Sequence, residues 1–178
     1  MHSNQNQHQH QNTSSTKKEV NLFTLIVKSE SSGLNIEGNN DISGLFGPDC
    51  PIKSNKDEPE LLLYIKFANQ VNLTKITVES KTNEENTPEI LKLFANSNNM
   101  DFSDAVSNPA TQAVRLEGKF GTKISLNVPK FRKLNDLIMY FTREDAEFIQ
   151  INSLQFYGTV GERMMNFTEL KKMKMEEE

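Results

Sequence analysis

Alternation of apolar and polar residues, repeated in short segments with no long helix between them, constrains this chain more than any other feature. In "LLLYIKF", Leu61, Leu63, Ile65 and Phe67 fall on one face, while Leu62, Tyr64 and Lys66 fall on the other. That is the period of two a pleated strand requires. "VNLTKITV" follows after a three-residue break, with Leu73 out of phase with Ile76 and Val78, which predicts a bulge near Thr74 or Lys75. "ILKLFAN", "QAVRLE", "KISLNV", "LNDLIMYFT" and "FIQINSLQFYG" continue the series, each rich in β-branched or aromatic residues. A parallel α/β fold needs crossover helices of about ten residues or more, and none is predicted before the C-terminus. The expected fold is therefore all-β, a two-sheet antiparallel sandwich. Its core is expected at Leu61, Leu63, Ile65, Phe67, Ile76, Val78, Leu93, Leu137, Met139, Phe141, Ile151 and Phe156.

With 178 residues, 35% of them hydrophobic, the chain suits one domain of ordinary size with tails. Residues 1–19, "MHSNQNQHQHQNTSSTKKE", carry no large apolar side chain after Met1 and are expected to be a disordered low-complexity tract. The sandwich is expected over 20–165 and a charged tail over 166–178. Between "VNLFTLIVK" and Glu60, some thirty residues rich in Gly, Ser, Asn, Asp and Pro form a long connection, in which Leu34, Ile36, Leu45 and Phe46 could pin it to the core.

A formal charge of −4 disfavours non-specific attraction to a phosphate backbone, so no nucleic-acid partner is expected. No run of 18 apolar residues suggests a membrane span, and the polar N-terminus does not resemble a signal peptide. A single cysteine fits a reducing compartment, and the expected location is cytoplasmic, with the nucleus also open, and not secreted. All three histidines lie in the first ten residues, which removes Ser-His, Cys-His and His-metal arrangements from the folded part. Cys50 sits beside Asp49, whose charge raises a thiol pKa and makes a poor nucleophile. Carboxylates cluster at "DEPE", "EE" and "EDAE", each at a predicted turn where solvated charge is the ordinary reading. "KFRK" over 130–133 could touch an acidic partner or form the polar rim of a strand. In "NNMDFSDAVSNPATQAVRL", Asp101 and Asp104 lack the regular ligand spacing and glycine of a calcium loop, so an inter-strand connection is expected there. No catalytic residue, metal ligand or cofactor is assigned.

"ELLLYIKFANQVNLTKITV", "ILKLFANSNNMDFSDA", "TQAVRLE", "VPKFRKLNDLIMYF" and "INSLQFYGT", in this order and spacing, resemble the PITH domain, the proteasome-interacting thioredoxin C-terminal module. The resemblance covers about residues 20–165. It implies a jelly-roll β-sandwich related to galactose-binding-like domains. It also implies a non-catalytic adaptor that associates with the regulatory particle of the 26S proteasome, expected here as a monomer. In that family "MDFSDAVSNPATQ" corresponds to a crossover, with Met100 and Phe102 anchoring it and Asp101 and Asp104 capping or solvating the turn. Three departures stand out: a 19-residue tract and one cysteine in place of a preceding thioredoxin domain, "GLNIEG" where members carry a cysteine-containing segment, and Ala110 between Pro109 and Thr111.

Two other classes stay open: a carbohydrate- or small-ligand-binding sandwich, and a hydrolase built on loop carboxylates. No Trp is present and only Tyr64, Tyr140 and Tyr157 could offer a phenol ring to a sugar. Beyond the last strand, Met164, Met165, Phe167, Leu170, Lys171, Lys172, Met173 and Lys174 form a thin apolar stripe with lysines beside it. These eight are the candidate partner-binding residues, a segment that would order on contact.

Overall fold

The computed structural model describes residues 17–38, 42–46, 51–81, 83–116 and 121–161. In chain order its elements are β1 (Val20–Asn21), β2 (Ser32–Leu34), β3 (Ile52–Lys53), β4 (Glu60–Glu79), β5 (Ile90–Ala95), α1 (Phe102–Ser107), β6 (Gln112–Arg115), β7 (Thr122–Ser125), β8 (Leu134–Thr142), β9 (Gln150–Ile151) and β10 (Ser153–Val160). Short 3-10 turns connect several of them. Every strand pairing is antiparallel.

The two segments read from sequence as separate strands are one, the twenty-residue β4. Its first half, Glu60–Lys66, pairs with β8 on one side, while Leu62–Tyr64 pair with β2 on the other. Its second half pairs with β10, and Lys75–Val78 also pair with β7. Between the halves the register against β8 jumps from Lys66↔Asp136 to Val71↔Leu134, so four residues of β4 face one of β8. Such an insertion bends the strand, and the bend lets one continuous eight-stranded sheet curl into two facing layers with β4 running through both, while β3 and β9 pair as a separate two-stranded ribbon. Strands β5 and β6 extend the first layer beyond β8, and β1 extends the second beyond β10.

The inner faces enclose the main core. All twelve predicted core positions are buried, with none more than 4% exposed. Leu22, Ile42, Leu45, Phe46, Phe131, Ile149 and Leu154 join them from the connections and from β10. The predicted bulge lies at Thr74: Tyr157 pairs with Lys75 and Gly158 with Leu73, leaving Thr74 unpaired in the ladder. Its carbonyl instead accepts the Leu126 N–H at 3.0 Å. One expectation is corrected. Leu34 is 46% exposed, because strand alternation turns Gly33 inward against Leu63 and so turns Ser32 and Leu34 out. No helix of crossover length precedes the C-terminus among the described residues: the six-residue α1 is long enough to cover one face of a sheet but too short for a parallel crossover.

The register shift beside Thr74 forces the two backbones together at Gly158, where a methyl group would sit 2.0 Å from the Asn72 carbonyl oxygen. Gly158→Ala is therefore expected to lose roughly 2–4 kcal/mol, a fall in melting temperature of roughly 5–15 °C for a chain of this size. Gly33→Ala is expected to lose less, since the atoms nearest its methyl are side-chain carbons of Ile36, Ile42 and Leu63 rather than backbone, and side chains can shift. Thermal melts of both variants check this, and a Gly158→Ala melt matching the parent would show that the backbones do not touch there.

Candidate functional site

On the outer face of the first layer, Leu62 and Tyr64 of β4, Phe94 of β5, and Ile138 and Tyr140 of β8 form a second apolar cluster. The segment 100–110 covers it. Met100, Phe102, Ala105 and Ala110 pack against the sheet, and the Phe102 ring meets Tyr140 edge-on at 6.3 Å. A reciprocal capping box holds α1 in place: Asp101 Oδ1 accepts the Asp104 N–H at 2.8 Å, and Asp104 Oδ2 accepts the Asp101 N–H at 3.1 Å. Lys92 closes the other end by donating to the carbonyls of Ala105 and Val106. Asp101 and Asp104 thus cap the crossover, and Ala110, the extra residue before Thr111, adds a small contact to the cluster. Thr111 Oγ1 accepts the Ala95 N–H at 2.9 Å, fixing the return to β6.

Beside this covered patch the sheet is left open. A groove of about 490 Å³ runs between the edge strand β2 and the segment 98–100, lined by Glu30, Leu34, Tyr64, Asn98, Asn99 and Met100 among others. Its floor is apolar and its rim polar, the combination that suits a partner's side chain or a small ligand. Tyr64 is half-buried in its wall, with its hydroxyl donating to Asp136 Oδ2 at 3.4 Å. Lys66 Nζ lies 3.9 Å from the same oxygen. Burial, and then the Asp136 charge, push the Tyr64 hydroxyl above its ordinary pKa. Asp136 Oδ1 is buried and accepts no hydrogen bond from the described residues. Leaving such an oxygen unsatisfied costs about 1–3 kcal/mol. A carboxylate inside the otherwise apolar "LNDLIMYF" was the sequence signal for this cluster, and it was missed.

The candidate partner-binding residues Met164, Met165, Phe167, Leu170, Lys171, Lys172, Met173 and Lys174 lie outside the described residues, as does Cys50. The chain reaches them from Gly161, whose N–H donates to the Gln70 carbonyl at 2.6 Å. Of the carboxylate clusters, Glu85, Asp145 and Glu147 line one cleft of about 390 Å³. Asp145 is paired with Arg143 at 2.9 Å and Glu147 with Lys56 at 3.1 Å, with 73% and 55% of the two carboxylate side chains exposed. Carboxylates so wetted and paired do not form the water-excluded site that acid–base catalysis uses. No three metal-binding side chains converge among the described residues. No helix among them is long and apolar enough to cross a membrane.

Three partly exposed aromatic rings carry a lysine ammonium over one face: Lys28 over Phe23 at 5.0 Å, Lys53 over Phe148 at 4.7 Å and Lys75 over Tyr157 at 4.6 Å. Displacing each would cost about 0.5–1 kcal/mol. Tyr140 is buried and its hydroxyl donates to Glu60 Oε2 at 2.8 Å.

Among known families, the PITH domain matches residues 12–176. No curated protein sequence matches the chain. Among solved structures, the family 32 carbohydrate-binding module of Clostridium perfringens NanJ, in complex with galactose, is similar with a TM-score of 0.59 at 11% identity, covering 79% of this chain and 99% of that one. A second family 32 module from Clostridium perfringens, in complex with GalNAc-β-1,3-galactose, gives a TM-score of 0.59 at 7% identity, covering 77% and 99%. A chitosan-binding module from a Paenibacillus chitosanase/glucanase gives 0.51 at 12% identity, covering 72% and 93%. Identities this low speak to fold alone, and the shared fold is the galactose-binding-like jelly roll.

Burial first, and then the bond to Glu60, push the Tyr140 hydroxyl up to about 12 from its ordinary value near 10. Folding therefore favours the protonated phenol. This contribution to stability is fully present below about pH 10 and is lost as pH rises toward about 12. In Tyr140→Phe, a tyrosine ionisation followed at 295 nm is expected to lose its step near pH 12, and stability should fall less between pH 10 and 12 than in the parent. An unchanged titration would place that ionisation elsewhere.

Proposed function

The chain belongs to the PITH domain family, and from that membership we propose that it is a non-catalytic interaction module that associates with the regulatory particle of the 26S proteasome. The observation that carries the reading is the match over residues 12–176, nearly the whole chain, on a fold whose neighbours are also binding modules. The groove beside β2 supports it. Leu34 stands exposed at its edge, and Glu30, Asn98 and Asn99 supply a polar rim, the anatomy of a protein contact. The segment after Gly161, carrying Met164 to Lys174, is proposed as a second contact that adapts to a larger assembly through its methionines. The proposal carries with it the expected cytoplasmic and nuclear setting.

The fold favours one other reading. Its neighbours include modules solved with galactose and with GalNAc-β-1,3-galactose, and Tyr64 lines a groove of adequate size. Against it, the lysines over Phe23, Phe148 and Tyr157 would compete with a sugar for those ring faces. Calorimetric titration with both sugars separates the readings: saturable heat abolished by Tyr64→Ala would favour the glycan.

With purified 26S proteasome, the tagged chain is expected to co-sediment with the regulatory particle. Truncation after Gly161 keeps the β10–β4 ladder through Val160↔Val71 and should leave the melting temperature within about 2 °C, while recovery of the particle falls at least several-fold. Leu34→Asp, at an exposed position, should likewise spare stability and reduce recovery. Failure of the full chain to co-sediment sinks the proteasome reading; full recovery with the truncated chain sinks only the role of the tail.

A further inference from the structure

The second layer has a groove of its own. About 740 Å³ in volume, it lies between the outer side of β4 and β10 and the loop that carries "KFRK", and Lys17, Gln70, Asn72, Thr159, Arg132 and Lys133 are among its lining residues. Three of its lining side chains are cationic and none is a carboxylate, in a chain whose formal charge is −4. Neither Arg132 nor Lys133 pairs with an acidic side chain among the described residues. Glu19 accepts a hydrogen bond at 2.6 Å from the lining residue Thr74, and its charge is answered by Lys75 at 3.2 Å.

This arrangement is built and held. Phe131 is wholly buried and anchors the loop, so its neighbours Lys130, Arg132 and Lys133 face solvent. Lys133 has φ +52, a left-handed conformation in which an L side chain is strained and glycine is not. Hydrogen bonds on both sides hold it there: its N–H donates to Asn72 Oδ1 at 3.0 Å, and its carbonyl accepts from Asn96 Nδ2 at 3.1 Å. The same Asn72 donates to Thr159 Oγ1 at 3.3 Å, so one side chain ties the loop to both strands of the groove floor. A lysine kept where backbone geometry prefers glycine points to a use for the side chain.

We propose that this groove docks an acidic peptide segment of a partner protein, with Arg132 and Lys133 binding its carboxylates and Lys17 at the far wall. Charge complementarity selects the occupant. Three cations in one short groove on an acidic protein match a few successive carboxylates, whereas a duplex would need a longer basic stripe. The site is separate from the groove beside β2 and does not depend on the proteasome reading.

Fluorescein-labelled octaglutamate, titrated with the full chain and followed by anisotropy, tests it. Saturable binding is expected at 50 mM NaCl and should weaken strongly at 300 mM, while unlabelled octaserine, which carries no side-chain charge, should not displace the labelled peptide. Arg132→Ser and Lys133→Gly are each expected to weaken binding roughly two- to fivefold, and the double variant about tenfold. Lys133→Gly relieves the left-handed strain and should melt at or above the parent temperature, so lost binding cannot be ascribed to lost fold. No saturation, or equal affinity in the double variant, overturns the proposal. Tighter binding of a duplex oligonucleotide overturns it in favour of nucleic acid. Binding that appears only after truncation at Gly161 overturns it in favour of the chain's own terminal glutamates.

Discussion

One strand makes the sandwich a single object. Because β4 hydrogen-bonds to β8 and β2 through its first half and to β10 and β7 through its second, neither layer can form without fixing half of the other. Non-local pairings of this kind must repay loop closure before they contribute. The main core lies where the two halves face each other. Leu61, Leu63, Ile65 and Phe67 look inward from one half, and Val71, Leu73, Ile76 and Val78 from the other. The bend at residues 67–70 and the bulge at Thr74 are what allow a single strand to present apolar residues inward in both layers.

Much of this is legible because burial on one face imposes a period of two, and a bulge breaks that period visibly: the phase slip between Leu73 and Ile76 points to Thr74 or Lys75, and the skipped residue is Thr74. The break after Phe67 reads as a gap between two strands, since Ala68, Asn69 and Gln70 have weak strand preference, but tertiary pairing on both flanks carries β4 through it. Leu34 was misplaced for the opposite reason. Apolar character suggested burial, but inward-facing Gly33 between Ser32 and Leu34 set the phase, and a glycine carries no hydrophobic signal. The family resemblance implied that Asp101 and Asp104 cap or solvate the turn, and the capping box they form uses acceptors three residues apart.

The candidate surfaces were less legible, because each is assembled across long sequence separations. The groove beside β2 joins residues 30–34, 62–64 and 98–100, and the basic groove joins Lys17, β4, residues 128–133 and the end of β10. Strand order brings these together, and strand order is set by pairings the alternation pattern does not specify. Charge along the chain gave one partial signal. "KFRK" reads first as the polar rim of a strand and second as an acidic-partner contact, and what bears on the choice is Phe131, whose full burial fixes the loop so that its flanking cations face solvent.

The bulge and the basic groove have a common origin in Asn72. Skipping Thr74 sets Gly158 opposite Leu73 and brings the 158 backbone against the Asn72 carbonyl, so the peptide of Asn72 is held by close contact with β10. Its side chain is then free to reach Thr159 and the Lys133 N–H. A residue fixed in its backbone and bonded at both ends of its amide is a rigid support, and rigid supports are what a binding site on a loop requires. The strained φ at Lys133 follows from the same geometry: the loop must turn sharply to reach Asn72 on one side and Asn96 on the other. The irregularity that lets β4 serve both layers therefore also shapes the surface where charge is concentrated, and substitutions at the bulge should disturb fold and groove together, while substitutions at Lys133 should disturb the groove alone.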